Sequence, residues 1–191
     1  MIDPFSRGRH QGIHFLVLLL LGAILAGAAE LPYGGWIQIP ILSIVWWWLK
    51  QEHFCSVKKL FLSGLTFGLG YFVIGLWWIY ISLHDVGGMN IALSCMAVFL
   101  LSAYMAIYFS LATLTISLVQ SSRFTGLFLA ADWVVMEFLR GYIFTGFPWM
   151  GLAESQINGP FALIAPYFGG LACTFLVIWT SWEIVQIKKH V

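Results

Sequence analysis

The chain has 191 residues, of which 61% are hydrophobic and only 9% are charged, whereas about 25% of residues are charged in an ordinary soluble domain. A soluble domain of this size needs polar side chains to cover its surface, and this chain has too few. The composition excludes a cytosolic globular enzyme, a disordered tail and a nucleic-acid-binding protein. It leaves a polytopic membrane protein built from helices.

The charged residues divide the chain into six stretches that are long enough to cross a bilayer, which takes about 20 mostly apolar residues for about 30 Å of hydrocarbon. We therefore predict an all-α membrane helix bundle of about six transmembrane helices, forming one domain over residues 1–191. Pro32 and Pro40 are expected to shorten the second span. In chain order, the stretches are residues 13–29, 31–49, 60–84, 86–122, 124–142 and 155–182. The fourth is long enough for a helix with a loop at each end, and the sixth span is predicted to start after Pro160 or Pro166.

The first span also fits a different interpretation. Arg7 and Arg9 precede its apolar stretch, and the small residues 26–28 resemble the cleavage site of a secretory signal. We favour a retained helix, because five more spans follow it and the distribution of basic residues along the chain fits best when it is kept.

Aromatic and small residues mark two of the spans. The three tryptophans at residues 46–48 and the aromatic cluster at residues 77–80 are predicted to lie at the headgroup level, where amphipathic rings are favoured. Gly64 and Gly68 are four residues apart in the third span, and this spacing lets a neighbouring helix approach closely.

Basic residues orient the predicted bundle, because Lys and Arg prefer the cytoplasmic side of a membrane. If the N terminus is cytoplasmic, eight of the 9 basic residues fall in cytoplasmic segments, and only Arg140 lies at an outward end. We therefore predict that both termini are cytoplasmic. The eight residues are Arg7, Arg9, Lys50, Lys58, Lys59, Arg123, Lys188 and Lys189.

Three charged residues lie inside the fifth span, where each costs roughly 2.5–3.5 kcal/mol on insertion scales. Glu137 and Arg140 share a helix face and can form an ion pair. The pair either fixes helix packing or forms the polar wall of a cavity that opens to the outer face. For Asp132, near the midplane, we favour a carboxyl that is protonated or bonded to a neighbour.

Two predicted outer loops differ in character. Residues 141–160 are too apolar for a free aqueous loop and too interrupted for a straight span, so they are predicted to lie in the outer interface. The alternative is a re-entrant loop that packs between helices. At residues 82–89, His84 beside Asp85 is interpreted as part of a solvated turn rather than as an acid–base pair.

No catalytic residue is predicted from the sequence. The chain lacks the motifs of Ser-His-Asp hydrolases, zinc proteases, P-loops and dinucleotide-binding folds. Cys55, Cys95 and Cys173 do not have the spacing of metal ligands and are interpreted as structural. We therefore expect no metal and no cofactor.

Three segments of the chain resemble the apolipoprotein N-acyltransferases of the bacterial inner membrane. They are residues 78–89 (WIYISLHDVGGM), 137–149 (EFLRGYIFTGFPW) and 155–160 (SQINGP), and the likeness includes Ala103-Tyr104 and runs over nearly the whole chain. Glu154 is a departure, because an aromatic residue is expected before the Ser-Gln pair.

The resemblance implies a reaction and its partners. The family transfers an acyl chain from a phospholipid donor to the N-terminal diacylglyceryl-cysteine of an apolipoprotein acceptor, through a thioester on a cysteine. The resemblance implies that the end of the fifth helix and residues 141–160 form a platform for these lipids. Its candidate substrate-binding residues are Glu137, Arg140, Phe147, Trp149 and Gln156.

The resemblance also implies that the catalytic Glu-Lys-Cys triad lies in a nitrilase-like domain inserted after these helices. None of the three cysteines matches that nucleophile, and residues 1–191 contain no such domain. We therefore expect a truncated product that is inactive alone, unless a separately encoded domain completes it. A non-catalytic lipid-binding or scaffold protein derived from the family is the alternative, and a transporter with a relay through Asp132 and Glu137 is less favoured.

Overall fold

The computed structural model describes residues 4–52, 56–119 and 124–187, and these residues contain helices, turns and loops but no strand. The predicted all-α class is confirmed. The long helices are α1 (Pro4–Ala29), α2 (Gly34–Glu52), α3 (Val57–Gly75), α5 (Ile91–Leu118), α6 (Thr125–Arg140) and α8 (Gly170–Ile187). The short elements are α4 (Trp77–Ile81), a π-helical turn (Ser82–Val86), two 3₁₀ turns (Ile143–Thr145 and Leu152–Asn158) and α7 (Ala165–Phe168).

Four helices are long and apolar enough to cross a membrane, namely Gln11–Ala29, Val57–Gly75, Ile91–Leu118 and Gly170–Ile187. The other two long helices bring the bundle to the six that the sequence predicts. The first of these two, α2, has 19 residues and continues through Pro40, which was expected to shorten it.

Helix α6 is shorter than the hydrocarbon is thick. It has 16 residues, which at about 1.5 Å per residue gives roughly 24 Å against about 30 Å of hydrocarbon. By length alone α6 therefore falls short of the layer, and the chain after Arg140 is folded against other helices.

Consecutive long helices run in opposite directions, so their connections collect at two ends. We call the end that contains residues 30–33, 76–90 and 141–169 the loop end. Contacts of residues 141–169 with the nearby ends of α2 and α3 support it: Gln156 donates to the Gly35 carbonyl over 3.0 Å, and Tyr71 donates to the Met150 carbonyl over 3.2 Å.

Glycines let α3 lie close to the helices on either side. A Cβ atom on Gly64 would lie 2.7 Å from Ser110 Cα of α5, and one on Gly68 would lie 2.8 Å from Ala106 Cβ. This confirms the predicted role of their spacing. On the other side, a Cβ atom on Gly70 would lie 2.0 Å from the Leu19 carbonyl oxygen of α1, so α1 is a packed member of the bundle.

Polar contacts tie four helices (α1, α2, α3 and α8) together at the end opposite the loop end. Trp48 donates its indole N–H to His14 Nδ1 over 2.7 Å, and His14 Nε2 lies 2.8 Å from Ser63 Oγ. Trp46 is fully buried and donates to Ser181 Oγ over 2.8 Å. The headgroup position predicted for residues 46–48 is therefore wrong for Trp46, because its polar edge finds a partner inside the bundle.

Asp132 is held by a neighbouring helix. Its carboxylate accepts a hydrogen bond from the Thr115 hydroxyl of α5, as expected for a polar side chain inside a membrane span. Of the three cysteines, Cys173 is buried, Cys95 is exposed, and Cys55 lies outside the described residues. Arg123, Lys188 and Lys189 also lie outside them.

Candidate functional site

Residues 141–164 turn back between the helices at the loop end. Three successive parts of this segment are held through their carbonyl oxygens by side chains of three different helices. Arg140 of α6 donates to Trp149, Tyr71 of α3 donates to Met150, and Gln38 of α2 donates to Leu152 over 3.1 Å. We call these three contacts the carbonyl clamps. They favour the re-entrant interpretation over a loop that floats in the interface.

Arg140 is buried, with 1% of its surface exposed. Its Nη1 donates to the Trp149 carbonyl, and its guanidinium carbon lies 5.3 Å from the centre of the Phe72 ring. Among the described residues, its Nε and Nη2 atoms have no hydrogen-bond partner. The charge is therefore stabilised by one carbonyl, an aromatic face and the nearby carboxylate of Glu137.

Glu137 does not share the hydrogen-bond partners of Arg140. Its Oε1 accepts from the Thr174 hydroxyl of α8 over 3.1 Å, and a Cβ atom on Gly151 would lie 2.8 Å from the same oxygen. The two residues of the predicted pair thus bind different elements, and together they connect α6 to α8 and to the loop.

Two more polar side chains of the loop form hydrogen bonds with other groups of the protein. Gln156 is 1% exposed and donates to Gln38 Oε1 over 2.8 Å. Glu154 accepts from the backbone N–H groups of Met150 (3.2 Å) and Gly151 (3.0 Å). Glu154 therefore caps the second 3₁₀ turn, which gives this departure from the family pattern a local structural role.

Beside the loop lies a cleft of about 400 Å³, within the size range of small-molecule sites, about 300–1,000 Å³. Leu101, Tyr104 and Met105 of α5 form one wall, and residues 143–147 form the other. The lining is apolar and aromatic except for the polar groups of Tyr104 and Thr145. Its shape and chemistry suit an aliphatic chain.

Phe147 and Trp149, the two aromatic candidate residues, lie on the side of the loop that faces the cleft. Phe147 lines the cleft, and its ring centre is 5.1 Å from that of Trp149, which is 53% exposed. The structure therefore separates the five predicted residues into two groups. Phe147 and Trp149 lie at the cleft and its edge, whereas Glu137, Arg140 and Gln156 are hydrogen-bonded to α8, to the loop and to α2, respectively.

The cleft wall has an unusual backbone. Phe144 and Thr145 have φ angles of 54° and 72°, and Gly146 has φ 78° with ψ 147°, a region that only glycine occupies readily. A Cβ atom on Gly146 would lie 1.9 Å from the Gly141 carbonyl oxygen. The wall is therefore built around a glycine that no other residue can replace without moving the chain.

Replacing Gly146 is expected to open this wall. In Gly146→Ala, the new Cβ atom clashes with backbone, and alanine must also adopt a backbone conformation that favours glycine. Gly169 has a similar conformation (φ 79°, ψ 172°), but a Cβ atom there would meet no atom within 4 Å, so Gly169→Ala carries only the conformational cost. The conformational cost alone is about 1–2 kcal/mol. We expect chymotrypsin to cleave after Phe144 several-fold faster in Gly146→Ala than in Gly169→Ala. Equal cleavage rates would contradict the tight turn.

Other polar groups of the described chain form no comparable site. His84 Nδ1 lies 2.7 Å from the Met89 carbonyl in the π-helical turn, while its contact with Asp85 is 3.9 Å, which fits a turn better than an acid–base pair. Cys173 donates to the Phe161 carbonyl over 3.5 Å. Across residues 4–52, 56–119 and 124–187, no three His, Cys, Asp or Glu residues are grouped to hold a metal ion.

Sequence reasoning missed Gln38, Tyr71 and Thr174. Gln38 was detectable, because a buried amide in an apolar span needs a partner. The roles of Tyr71 and Thr174 depend on which helices are neighbours at the loop end, and nothing local to either residue shows this.

Residues 22–182 match the family model described as the apolipoprotein N-acyltransferase N-terminal domain. The chain belongs to the apolipoprotein N-acyltransferase family. The match includes the carbonyl clamps and both walls of the cleft, so these features lie in the part of the chain that the family model covers.

Individual apolipoprotein N-acyltransferases show the same similarity. The chain is 40% identical over 188 residues to the one from Pasteurella multocida, covering 98% of the chain and 35% of that protein. It is 41% identical over 128 residues to the one from Haemophilus influenzae (66% and 24%), and 37% identical over 175 residues to the one from Haemophilus ducreyi (89% and 33%). The chain thus spans about a third or less of the length of these relatives.

Proposed function

We propose that residues 1–191 form the membrane domain of an apolipoprotein N-acyltransferase in the bacterial inner membrane. In this proposal the loop end faces the periplasm and both termini face the cytoplasm. The cleft between α5 and residues 143–147 holds an acyl chain of the lipid substrates. The observation that carries the proposal is this apolar cleft, beside a loop that buried polar side chains bind, in a chain of this family.

The five candidate residues have two roles in this proposal. Phe147 contacts the acyl chain, and the exposed ring of Trp149 covers the edge of the cleft. Glu137, Arg140 and Gln156 are positioning residues, because their side chains bind the loop and its neighbours rather than open space. A change in any of these three would act on lipid through the position of the loop.

The position of the cleft fits this role. Tyr104 is 14 residues from the end of α5 at Leu118, which places it about 21 Å above that end. Arg140 ends α6 at nearly the same height. Tyr104 is also 13 residues from Ile91, the other end of α5, so the cleft lies about halfway along this helix and within a hydrocarbon layer about 30 Å thick.

For the whole protein, we propose the transfer of an acyl chain from a phospholipid to the amine of an apolipoprotein's diacylglyceryl-cysteine. The thioester-forming cysteine and its Glu and Lys partners belong to the nitrilase-like domain that the family resemblance implies. In this division, residues 1–191 bind and orient lipid and do not transfer an acyl group by themselves.

Photo-crosslinking of the purified chain in nanodiscs tests the proposal. The probe is phosphatidylethanolamine with a diazirine in one acyl chain, and a diacylglyceryl peptide is added as acceptor. We expect labelling of residues 101–105 and 143–147 and no N-acylated peptide. Leu101→Trp fills the cleft and should remove most of this labelling, whereas Leu100→Trp should not, because Leu100 is 59% exposed and does not line the cleft.

Two results would contradict the proposal. Labelling of the cleft peptides that does not respond to Leu101→Trp would show that lipid surrounds the segment without entering the cleft. N-acylated peptide above the level of empty nanodiscs would show that residues 1–191 carry transfer chemistry themselves.

A further inference from the structure

Two tyrosines at the cleft share a hydrogen bond inside the membrane layer. The hydroxyl oxygens of Tyr104 and Tyr108 lie 2.6 Å apart, one helical turn from each other on α5. Tyr108 is buried, with 6% of its surface exposed. Tyr104 lines the cleft, and its ring meets Phe144 edge-on with centres 5.8 Å apart.

The pair leaves one hydroxyl proton without an acceptor. Each tyrosine carries one O–H donor, and the contact between the two uses only one of them. Among the described residues, neither hydroxyl has another hydrogen-bond partner. A donor that remains unpaired in hydrocarbon is costly, because no water is present to satisfy it.

The free donor belongs on the cleft side. Tyr108 lies inside the bundle, so the arrangement with the lower cost has Tyr108 donating to Tyr104 and Tyr104 donating into the cleft. The opposite order would direct the unpaired O–H into the packed interior. The cleft therefore offers one hydrogen-bond donor on an otherwise apolar wall.

A lipid ester supplies the matching group. Ester carbonyls accept hydrogen bonds, so the ester of a lipid whose acyl chain enters the cleft can pair with the free O–H of Tyr104. An alkyl chain without a carbonyl would fill the cleft but would leave the donor unpaired. Binding sites of this kind combine an apolar lining with a few placed polar groups that fix the ligand's orientation.

We propose that the Tyr104 hydroxyl, supported by Tyr108, donates a hydrogen bond to the ester carbonyl of an acyl chain seated in the cleft. The cleft thereby selects ester-linked lipid and fixes how far the chain enters. This inference rests on the proposed function, because it needs the cleft to hold an acyl chain.

Matched ester and ether lipids test the selection. The chain is placed in nanodiscs that contain diazirine-labelled phosphatidylethanolamine with either two ester-linked or two ether-linked chains of equal length. Labelling of residues 143–147 is measured by mass spectrometry. One neutral hydrogen bond is worth about a three- to ten-fold preference, so we expect the ester lipid to give about three- to ten-fold more labelling.

Tyr104→Phe is expected to bring this ratio to about one by lowering ester labelling, with ether labelling unchanged. Tyr142→Phe is the control, since Tyr142 is 69% exposed and lies outside the cleft lining, and it should keep the wild-type ratio. Thermal unfolding of each variant shows whether a change in labelling reflects loss of fold.

The outcomes separate this inference from the proposed function. Equal labelling by both lipids in the wild-type chain, or a ratio that survives Tyr104→Phe, would overturn the ester contact while leaving the acyl-chain cleft intact. Absence of labelling at residues 143–147 by either lipid would overturn both.

Discussion

Gly70→Ala is expected to lower the unfolding temperature of the chain by about 6 °C or more, whereas Gly27→Ala leaves it unchanged or slightly raised. Both changes replace glycine inside a helix, which alone favours the folded helix by about 0.5–1 kcal/mol. At Gly70, the added Cβ would lie 2.0 Å from the Leu19 carbonyl oxygen, and at Gly27 it would meet nothing within 4 Å.

The clash at Gly70 cannot be relieved by turning a side chain. Both α1 and α3 contribute backbone at this crossing, since a Cβ atom on Gly22 of α1 would lie 2.1 Å from the Phe67 carbonyl oxygen of α3. The helices must therefore separate along their length, and overpacking of this kind costs about 3 kcal/mol or more. For a chain of this size, each kcal/mol corresponds to about 2–4 °C.

A buried thiol provides the measurement. In a Cys55→Ala, Cys95→Ala background, Cys173 is the remaining cysteine, and its side chain is buried in the folded protein. A thiol-reactive dye then reports unfolding in detergent as temperature rises. Equal midpoints for Gly70→Ala and Gly27→Ala would contradict the close approach of α1 and α3.

Arg140→Met is expected to destabilise the chain by about 3–5 kcal/mol, because it removes one member of a buried charged set and leaves the others in place. The Trp149 carbonyl loses its donor, and the carboxylate of Glu137 loses a nearby positive charge. Methionine keeps much of the buried volume, so the effect comes from polar groups rather than from a cavity.

A double-mutant cycle separates charge coupling from loss of the clamp. Glu137→Gln removes the negative charge, and we expect Glu137→Gln/Arg140→Met to be more stable than Arg140→Met by about 1 kcal/mol or more. The same thiol-dye assay measures all four proteins. Additive effects of the two single changes would mean that Arg140 acts only through the Trp149 carbonyl.

The sequence predicts the succession of helices better than it predicts the contacts between them. Six apolar stretches and the spacing of Gly64 and Gly68 were enough to predict the helices and one close crossing. Trp46 was misplaced, because the preference of indole rings for headgroups does not account for a partner such as Ser181. That partner lies 135 residues away in the chain, where no local pattern can show it.

The candidate site was proposed from its motif, and its geometry was not predicted. The segment from Glu137 to Trp149 was recognised, and Phe147 is the candidate residue within it that lines the cleft. The hydrogen bonds of Arg140, Tyr71 and Gln38 to three different carbonyl groups of the loop were not predictable, because the path of the loop depends on three helices. Tyr104 was noted only as part of a resemblance, because the cleft appears when α5 and residues 143–147 are brought together.

The carbonyl clamps also constrain the order in which the protein acquires its shape during synthesis. The Gln38 side chain can form its hydrogen bond only after Leu152, 114 residues later, has been synthesised. The Tyr71 hydroxyl likewise needs Met150, 79 residues later. The Glu137 carboxylate accepts its hydrogen bond only once Thr174 has been synthesised. A nascent chain halted before that threonine would contain every residue that lines the cleft yet would lack the contact between α6 and α8, so forming the cleft and closing the bundle are distinct events.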